Sequence, residues 1–136
     1  MDFIKSIAIA ASGLRAQSGR MRVIAENIAN ADSTAQTADG SPYRRKIPTF
    51  SSALDRSLDA RVVELGRVRN DPSDSQLKFQ PGHPAADTNG NVKYPNVNSL
   101  VEMTDMKEAQ RSYEANINVI SATRRMLQRT IEILKA

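Results

Sequence analysis

The sequence contains no cysteine, no tryptophan and a single histidine. Without thiols there is no disulfide framework, no thiolate nucleophile and no cysteine-ligated zinc or iron–sulfur site. One histidine excludes the common His-rich metal centres. Aromatic residues make up only 4% of the chain, so any core is built from Ile, Leu, Val, Met and Ala. No apolar run approaches the ~18–20 residues that span a bilayer. A phosphate-cradling glycine loop, a Gly-x-Ser-x-Gly turn and a carboxylate pair at a suggestive spacing are all missing. Charge of one sign is scarce too: 19 basic and 15 acidic residues leave a formal charge of +4. What remains is a chain of 136 residues, about one domain, able to bury a modest core.

Two heptads occupy the ends. In the first thirty residues Ile4, Ile7, Ala11, Leu14, Ser18, Met21, Ala25 and Ile28 fall at alternating steps of three and four, which predicts one long helix with a narrow seam. Asp2 is placed to cap its start, while Gly13 and Gly19 each weaken it by about 1 kcal/mol relative to Ala. Met1 to Ala11 has the outline of a secretory signal, but the periodicity continues past any cleavage point. The expectation is mature helix, and export, if any, without a cleaved signal. In the last forty residues the spacing recurs at Met103, Met106, Gln110, Tyr113, Ile117, Ile120, Arg124, Leu127, Ile131 and Leu134. Ser99-Leu100-Val101-Glu102 reads as a capping box. Acids gather early in this helix and bases late, the order that complements the helix dipole.

Between them all six prolines lie among Thr, Ser, Asp and Gly. Residues 61–69 predict a strand, 70–73 a turn and 76–79 a returning partner strand. Residues 43–50 look extended, and Asn89-Gly90 is a hairpin or turn signal. The layout is helix, irregular β-containing middle, helix: a mainly α chain with a small β-containing insertion, its long terminal helices paired antiparallel like a coiled coil. Segments 1–34 and 97–136 form the helical core, with 35–96 inserted. Matching the two heptads gives facing residue numbers that sum to about 135, bringing Arg20 toward Glu114.

Few residues carry chemistry. His83, in Pro81-Gly82-His83-Pro84, has Asp87 as its nearest candidate partner and reads as a structural loop residue. Asp87-Thr88-Asn89-Gly90-Asn91 opens like a calcium loop but then places Val92 and Asn98 where Gly and Glu are needed. Arg44-Arg45-Lys46 and Arg124-Arg125 with Arg129 form small basic clusters, more in keeping with solvated helix ends and salt bridges than with a polyanion face. One polar cluster stands out: Ala25 to Thr34 closes the first helix, either as a plain C-cap or with a further role. Asn30 suits the left-handed turn that ends helices, and Asn27 is able to donate and accept at once, pinning the following loop or a neighbouring chain.

The segment Ser12-Gly13-Leu14, Gln17 and Arg20 through Asn30 resembles the amino-terminal signature of flagellar axial proteins. Met106 with Gln110-Arg111-Ser112-Tyr113-Glu114-Ala115-Asn116 resembles their shared carboxyl-terminal helix. Ala31-Asp32-Ser33-Thr34-Ala35 with Pro42-Tyr43-Arg44-Arg45-Lys46, and Pro81 through Asn98, are similar to the proximal-rod members of the flagellar basal-body rod family. Where most axial proteins have a Thr-Gly-Tyr type sequence, Ser33-Thr34-Ala35 stands here, which argues against the hook and distal rod.

The resemblance implies a D0-type domain made of both termini. It implies a structural subunit of the drive shaft that crosses the periplasm, exported through the flagellar type III apparatus. Its partners would be other rod subunits and copies of itself, with no cofactor, no metal, no nucleic acid and no membrane span. Expected interface residues are Ile7, Leu14, Met21, Ile24, Asn27, Ile28 and Asn30 on the first helix. On the last they are Met106, Tyr113, Ile117, Ile120, Leu127 and Ile131. The competing reading is a small basic helical-hairpin adaptor that binds nucleic acid or an acidic partner through Arg44, Arg45, Arg124, Arg125 and Arg129. An enzyme using His83 and Asp87 has the least support.

Overall fold

A computed structural model describes residues 2–135. Helix α1 runs Phe3–Ala29 and helix α2 Ser99–Lys135. Between them lie six short strands: β1 Lys46–Ile47, β2 Phe50–Asp55, β3 Ala60–Leu65, β4 Arg69–Asn70, β5 Gln76–Phe79 and β6 Asn91–Tyr94. They form three antiparallel two-stranded sheets, β1 with β4, β2 with β3 and β5 with β6. Among the described residues no helix is long and apolar enough to cross a membrane.

The chain divides into two compact units. The first holds Met1–Met21, Thr49–Arg67 and Lys107–Ala136. Asp2 caps α1 as its spacing predicts, its Oδ1 accepting from the Ile4 and Lys5 amides at 3.1 and 3.2 Å. The β2–β3 hairpin is tied to α1 by Ser12. The hydroxyl of this buried serine donates to the Ile9 carbonyl at 2.6 Å and accepts the Val63 amide at 3.2 Å. The two helical glycines, costly for propensity, are sites of close approach: a Cβ on Gly13 would stand 2.8 Å from Asn116 Nδ2, and one on Gly19 2.8 Å from a Leu65 methyl.

The second unit holds Arg22–Pro48 and Val68–Met106. Its β5–β6 hairpin closes through a loop built on Asp87, whose Oδ1 accepts the Asn89 and Asn91 amides at 2.8 and 2.9 Å. Gly90 completes the turn at φ 79°, which a side chain would strain. Val92 on β6 and Val97 just before α2 are buried.

Two expectations need correcting. The strand at Ala60–Leu65 does not pair with Gln76–Phe79; it pairs in full register with Phe50–Asp55. The deciding turn is at 55–59, where Asp55 Oδ1 accepts the Ser57 amide at 2.9 Å and Asp59 takes a positive φ of 46°. The turn near Asp71 instead leads on to β5, which pairs with β6. The cap of α2 is Asn98, not Ser99: Asn98 Oδ1 accepts the Leu100 amide at 3.0 Å and the Val101 amide at 3.4 Å. This frees Glu102 from any capping duty.

The register of the helices also differs. Arg20 meets Glu108 at 3.4 Å rather than Glu114. Gly13 lies against Asn116, and Asn27 bonds Glu102. Facing numbers therefore sum to 128 or 129, close to one heptad from the sum read off the sequence. Numbers fall along α1 as they rise along α2.

The expected α2 seam is kept at Met106, Tyr113 and Ile120 and displaced by one residue at its alternate positions. The observed seam follows Glu102, Met106, Ala109, Tyr113, Asn116, Ile120 and Thr123, all buried or half-buried. Met103, Gln110, Ile117, Arg124, Leu127, Ile131 and Leu134 are all exposed. On α1 the expected Ile7, Ala11, Leu14, Met21 and Ile28 are half-buried and Ile4, Ser18 and Ala25 are exposed, while the buried residues are Ala10, Ser12, Ala16, Val23, Ile24 and Asn27. Small or polar residues take the displaced positions on α2, Ala109 and Asn116 among them, and Gly13 admits the Asn116 side chain at close range.

Ala109 is 0% exposed, so Ala109→Leu overfills the seam. It is expected to lower the unfolding free energy by about 1–3 kcal/mol, whereas Ile131→Ala, on the open face, changes it by less than about 0.5 kcal/mol. Denaturant unfolding of the two variants checks this contrast.

Candidate assembly site

The second unit is organised around one carboxylate. Glu102 is 1% exposed, and a buried charge is tolerated only when paired and hydrogen-bonded. Its Oε1 accepts Arg45 Nε at 2.5 Å and its Oε2 accepts Asn27 Nδ2 at 3.1 Å. The Arg45 guanidinium also faces Asp71 at 3.5 Å and Asp105 at 3.8 Å. Burial acts to lower the Arg45 pKa, but the bond to Glu102 and the charges of Glu102 and Asp71 outweigh it and hold the pKa above its usual value. The Arg45 amide donates to Asn96 Oδ1 at 2.8 Å, and Asn96 Nδ2 reaches the Ser73 hydroxyl at 2.9 Å. Asp71 in turn accepts the Ser73 amide at 2.9 Å. Bonds from the Ser73 amide and hydroxyl, followed by the nearby Arg45 charge, keep the Asp71 carboxyl below its ordinary pKa.

Asn27, 0% exposed, is the second anchor. Its side-chain amide pairs with the backbone of β1 as a neighbouring strand would. Nδ2 donates to the Lys46 carbonyl at 2.8 Å, and Oδ1 accepts the Lys46 amide at 2.9 Å. Oδ1 also accepts the Tyr43 hydroxyl at 2.9 Å. Lys46 Nζ closes the rim with an ion pair to Glu26. The expectation that Asn27 pins the following loop is met. Asn30 ends α1 differently from the expected left-handed turn: among the described residues Asp59 alone, glycine apart, has positive φ. Asn30 Nδ2 instead donates to the Glu26 carbonyl at 2.9 Å, satisfying a terminal acceptor.

Of the expected interface residues, Ile24 and Asn27 are buried within the chain. Ile7, Leu14, Met21, Ile28, Asn30, Met106, Tyr113 and Ile120 are half-buried, and Ile117, Leu127 and Ile131 are exposed. Around the last three, α2 leaves Met103, Val119, Met126, Ile133 and Leu134 open, with Ile133 and Leu134 76% and 81% exposed. Arg124, Arg125 and Arg129 share this exposed end. Arg45, expected in a basic cluster, is enclosed by carboxylates instead. His83 serves the β5–β6 loop, its Nδ1 accepting the Ala85 amide at 3.0 Å, and Asp87 Oδ1 is committed to the turn amides. Among the described residues no three His, Asp or Glu side chains gather as metal ligands would.

Sequence spacing does not reveal the Glu102–Arg45 pair, because the most apolar line of α2 runs through Met103 rather than Glu102 and the partner lies 57 residues away.

Comparison with known proteins places this arrangement. Residues 7–35 match the family model described as flagella basal body rod protein, and residues 88–133 match flagellar basal body rod FlgEFG protein C-terminal. The flagellar basal-body rod protein FlgC of Agrobacterium fabrum is 52% identical over 94% of this chain and 92% of its own length. The chain belongs to the flagellar basal-body rod proteins, in the FlgC group. FlgC of Yersinia enterocolitica is 39% identical over 98% of both chains, and FlgC of Bacillus subtilis 37% identical over 99% of this chain and 100% of its own. The protein is thus a structural component of the basal-body rod and not an enzyme.

Two outcomes test the junction. Asn27→Ala strands the Lys46 backbone groups, the Tyr43 hydroxyl and one Glu102 oxygen, and is expected to cost about 2–3 kcal/mol in denaturant unfolding. Burial, then the charges of Glu26 and Glu102, push the Tyr43 pKa up to about 12. Tyr43 holds its proton more tightly folded than unfolded. Its contribution to stability is therefore intact below pH 10.0 and is lost as pH climbs toward about 12. Ultraviolet titration is expected to show a late phenolate step that Tyr43→Phe removes.

Proposed function

We propose that this protein is a subunit of the proximal rod that assembles helically through its terminal helices to form the torque-transmitting shaft. In this reading segments 1–34 and 97–136 form an antiparallel, coiled-coil-like D0-type core, and 35–96 is an insertion that touches neighbouring subunits. The observation that carries it is the open apolar line on α2, Met103, Ile117, Leu127, Ile131 and Leu134, all exposed in the single chain. An apolar line this long, broken only at Gln110 and Arg124, gains from being covered, and burying it against neighbours stabilises by roughly 25 cal/mol per Å² of apolar surface. A head-to-tail contact that does not close generates a filament rather than a ring. The expected interface set, Ile7, Leu14, Met21, Ile24, Asn27, Ile28 and Asn30 with Met106, Tyr113, Ile117, Ile120, Leu127 and Ile131, divides accordingly. The exposed members meet neighbours directly, and the inward ones hold the helices that present them.

Its partners are copies of itself, other rod subunits and, in transit, the flagellar type III export apparatus; its working place is the periplasmic stretch of the basal body. The polyanion-binding alternative loses Arg45, whose guanidinium is already engaged by Glu102.

Ile131→Glu with Leu134→Glu places charge on the open line without touching the inward seam. The doubly substituted chain is expected to keep the helix content of the parent, fail to enter rods and leave cells non-motile. Normal rods and swimming would defeat the proposal.

A further inference from the structure

A heptad repeat does not by itself say which repeat of one helix faces which repeat of the other. Sliding α2 past α1 by seven residues, about 10.5 Å, replaces Met106 by Tyr113, Tyr113 by Ile120 and Asn116 by Thr123 along the inward line. These exchanges keep a side chain of comparable size at each place; the slide also brings Asn116 to the fully buried site of Ala109, a larger side chain that adds a packing preference for the observed pairing beside the polar one. The irregular chain between Ala29 and Lys46 is long enough to absorb the slide. One pairing does not survive it: Asn27 would face Ala109, and the carboxylate of Glu102 would lose its amide donor.

We propose that the Asn27–Glu102 contact, braced by Lys46, Tyr43 and Arg45, is a register key that selects one helix pairing out of two spaced a heptad apart. Three observations carry it. Both side chains are almost wholly buried, so neither finds water as a substitute partner. The bond joins residues 75 apart in sequence, one on each helix. Asn27 uses both ends of its amide at once, on the Lys46 backbone and on Glu102, so a shift of α1 breaks several bonds together. A buried polar residue that fixes register while adding little net stability is a known use of such groups. The proposal concerns the pairing inside one chain and is independent of what covers the outer face.

Since the chain has no cysteine, paired cysteines report the register cleanly. Arg20→Cys/Glu108→Cys marks the observed pairing and Arg20→Cys/Ala115→Cys the slipped one. Each pair is placed in the full chain, with or without Asn27→Leu/Glu102→Leu, and treated with a short bifunctional thiol reagent while helix content is followed by circular dichroism. In the parent the first pair is expected to cross-link faster by about tenfold or more. With the key removed, the two rates are expected to come within about twofold at unchanged helix content. Three results overturn the proposal: a preference that survives the double substitution, a parent chain with no preference, or a loss of helix content when the key is removed. The last would mean that the contact holds the helices up rather than choosing between pairings.

Discussion

A carboxylate withdrawn from water is the constraint on which the second unit depends. Glu102 sits in the first turns of α2 and is almost wholly buried, and an unpaired charge there is untenable. Arg45 must therefore come in from the chain before β1, and Asn27 from the last turns of α1. Asn27 brings Lys46 with it, and Arg45 brings Asn96, so the start of β1 and the approach to α2 are both fixed by the same group. The turn that holds Asp71 beside Arg45 owes its place to this cluster as well. The hydrophobic contribution in this part of the molecule is small, a few valines and an isoleucine, which is why polar geometry rather than apolar bulk decides the arrangement.

The inner line of α2 alternates small or polar residues, Glu102, Ala109, Asn116 and Thr123, with the larger Met106, Tyr113 and Ile120. On α1 Ala10, Gly13 and Asn27 are the small or polar members. The outer face of α2 carries the exposed Met103, Ile117, Leu127, Ile131 and Leu134. Close approach explains the inner choice, since Gly13 admits Asn116 where any side chain would intrude. The division of labour follows. Chemistry with strict partners is spent on internal order, while oil-like side chains, tolerant of partner identity, are left facing outward in a protein that belongs to a family of rod-forming subunits.

The sequence makes the two helices, their length and the cap at Asp2 legible, because period and capping chemistry are local. It makes the role of Asn27 legible in kind, because an amide at a helix end has few other uses. It misleads about the seam, because apolar residues mark the most hydrophobic line whether that line is covered by the same chain or not. The register was unreadable to within one heptad for the same reason: repeats look alike, and the residue that tells them apart, Glu102, passes for a cap when Ser99 stands three before it. The β pairing failed where two turn signals competed. Asp55 with Ser57 closes a hairpin through side-chain bonds that a strand-by-strand reading of 61–79 does not consider. The Arg45 bridge spans more than fifty residues of chain, a distance over which composition carries no information.

The three sheets each stop at two strands. With no third neighbour to flatten it, a ribbon of this width coils strongly and is held only by its single ladder and whatever lies against one face. Its rigidity in bending is correspondingly small beside that of a helix of 37 residues such as α2. What holds these ribbons in place is therefore less their own ladders than the side chains that tie them to α1, Ser12 to Val63 of β3 and Asn27 to Lys46 of β1.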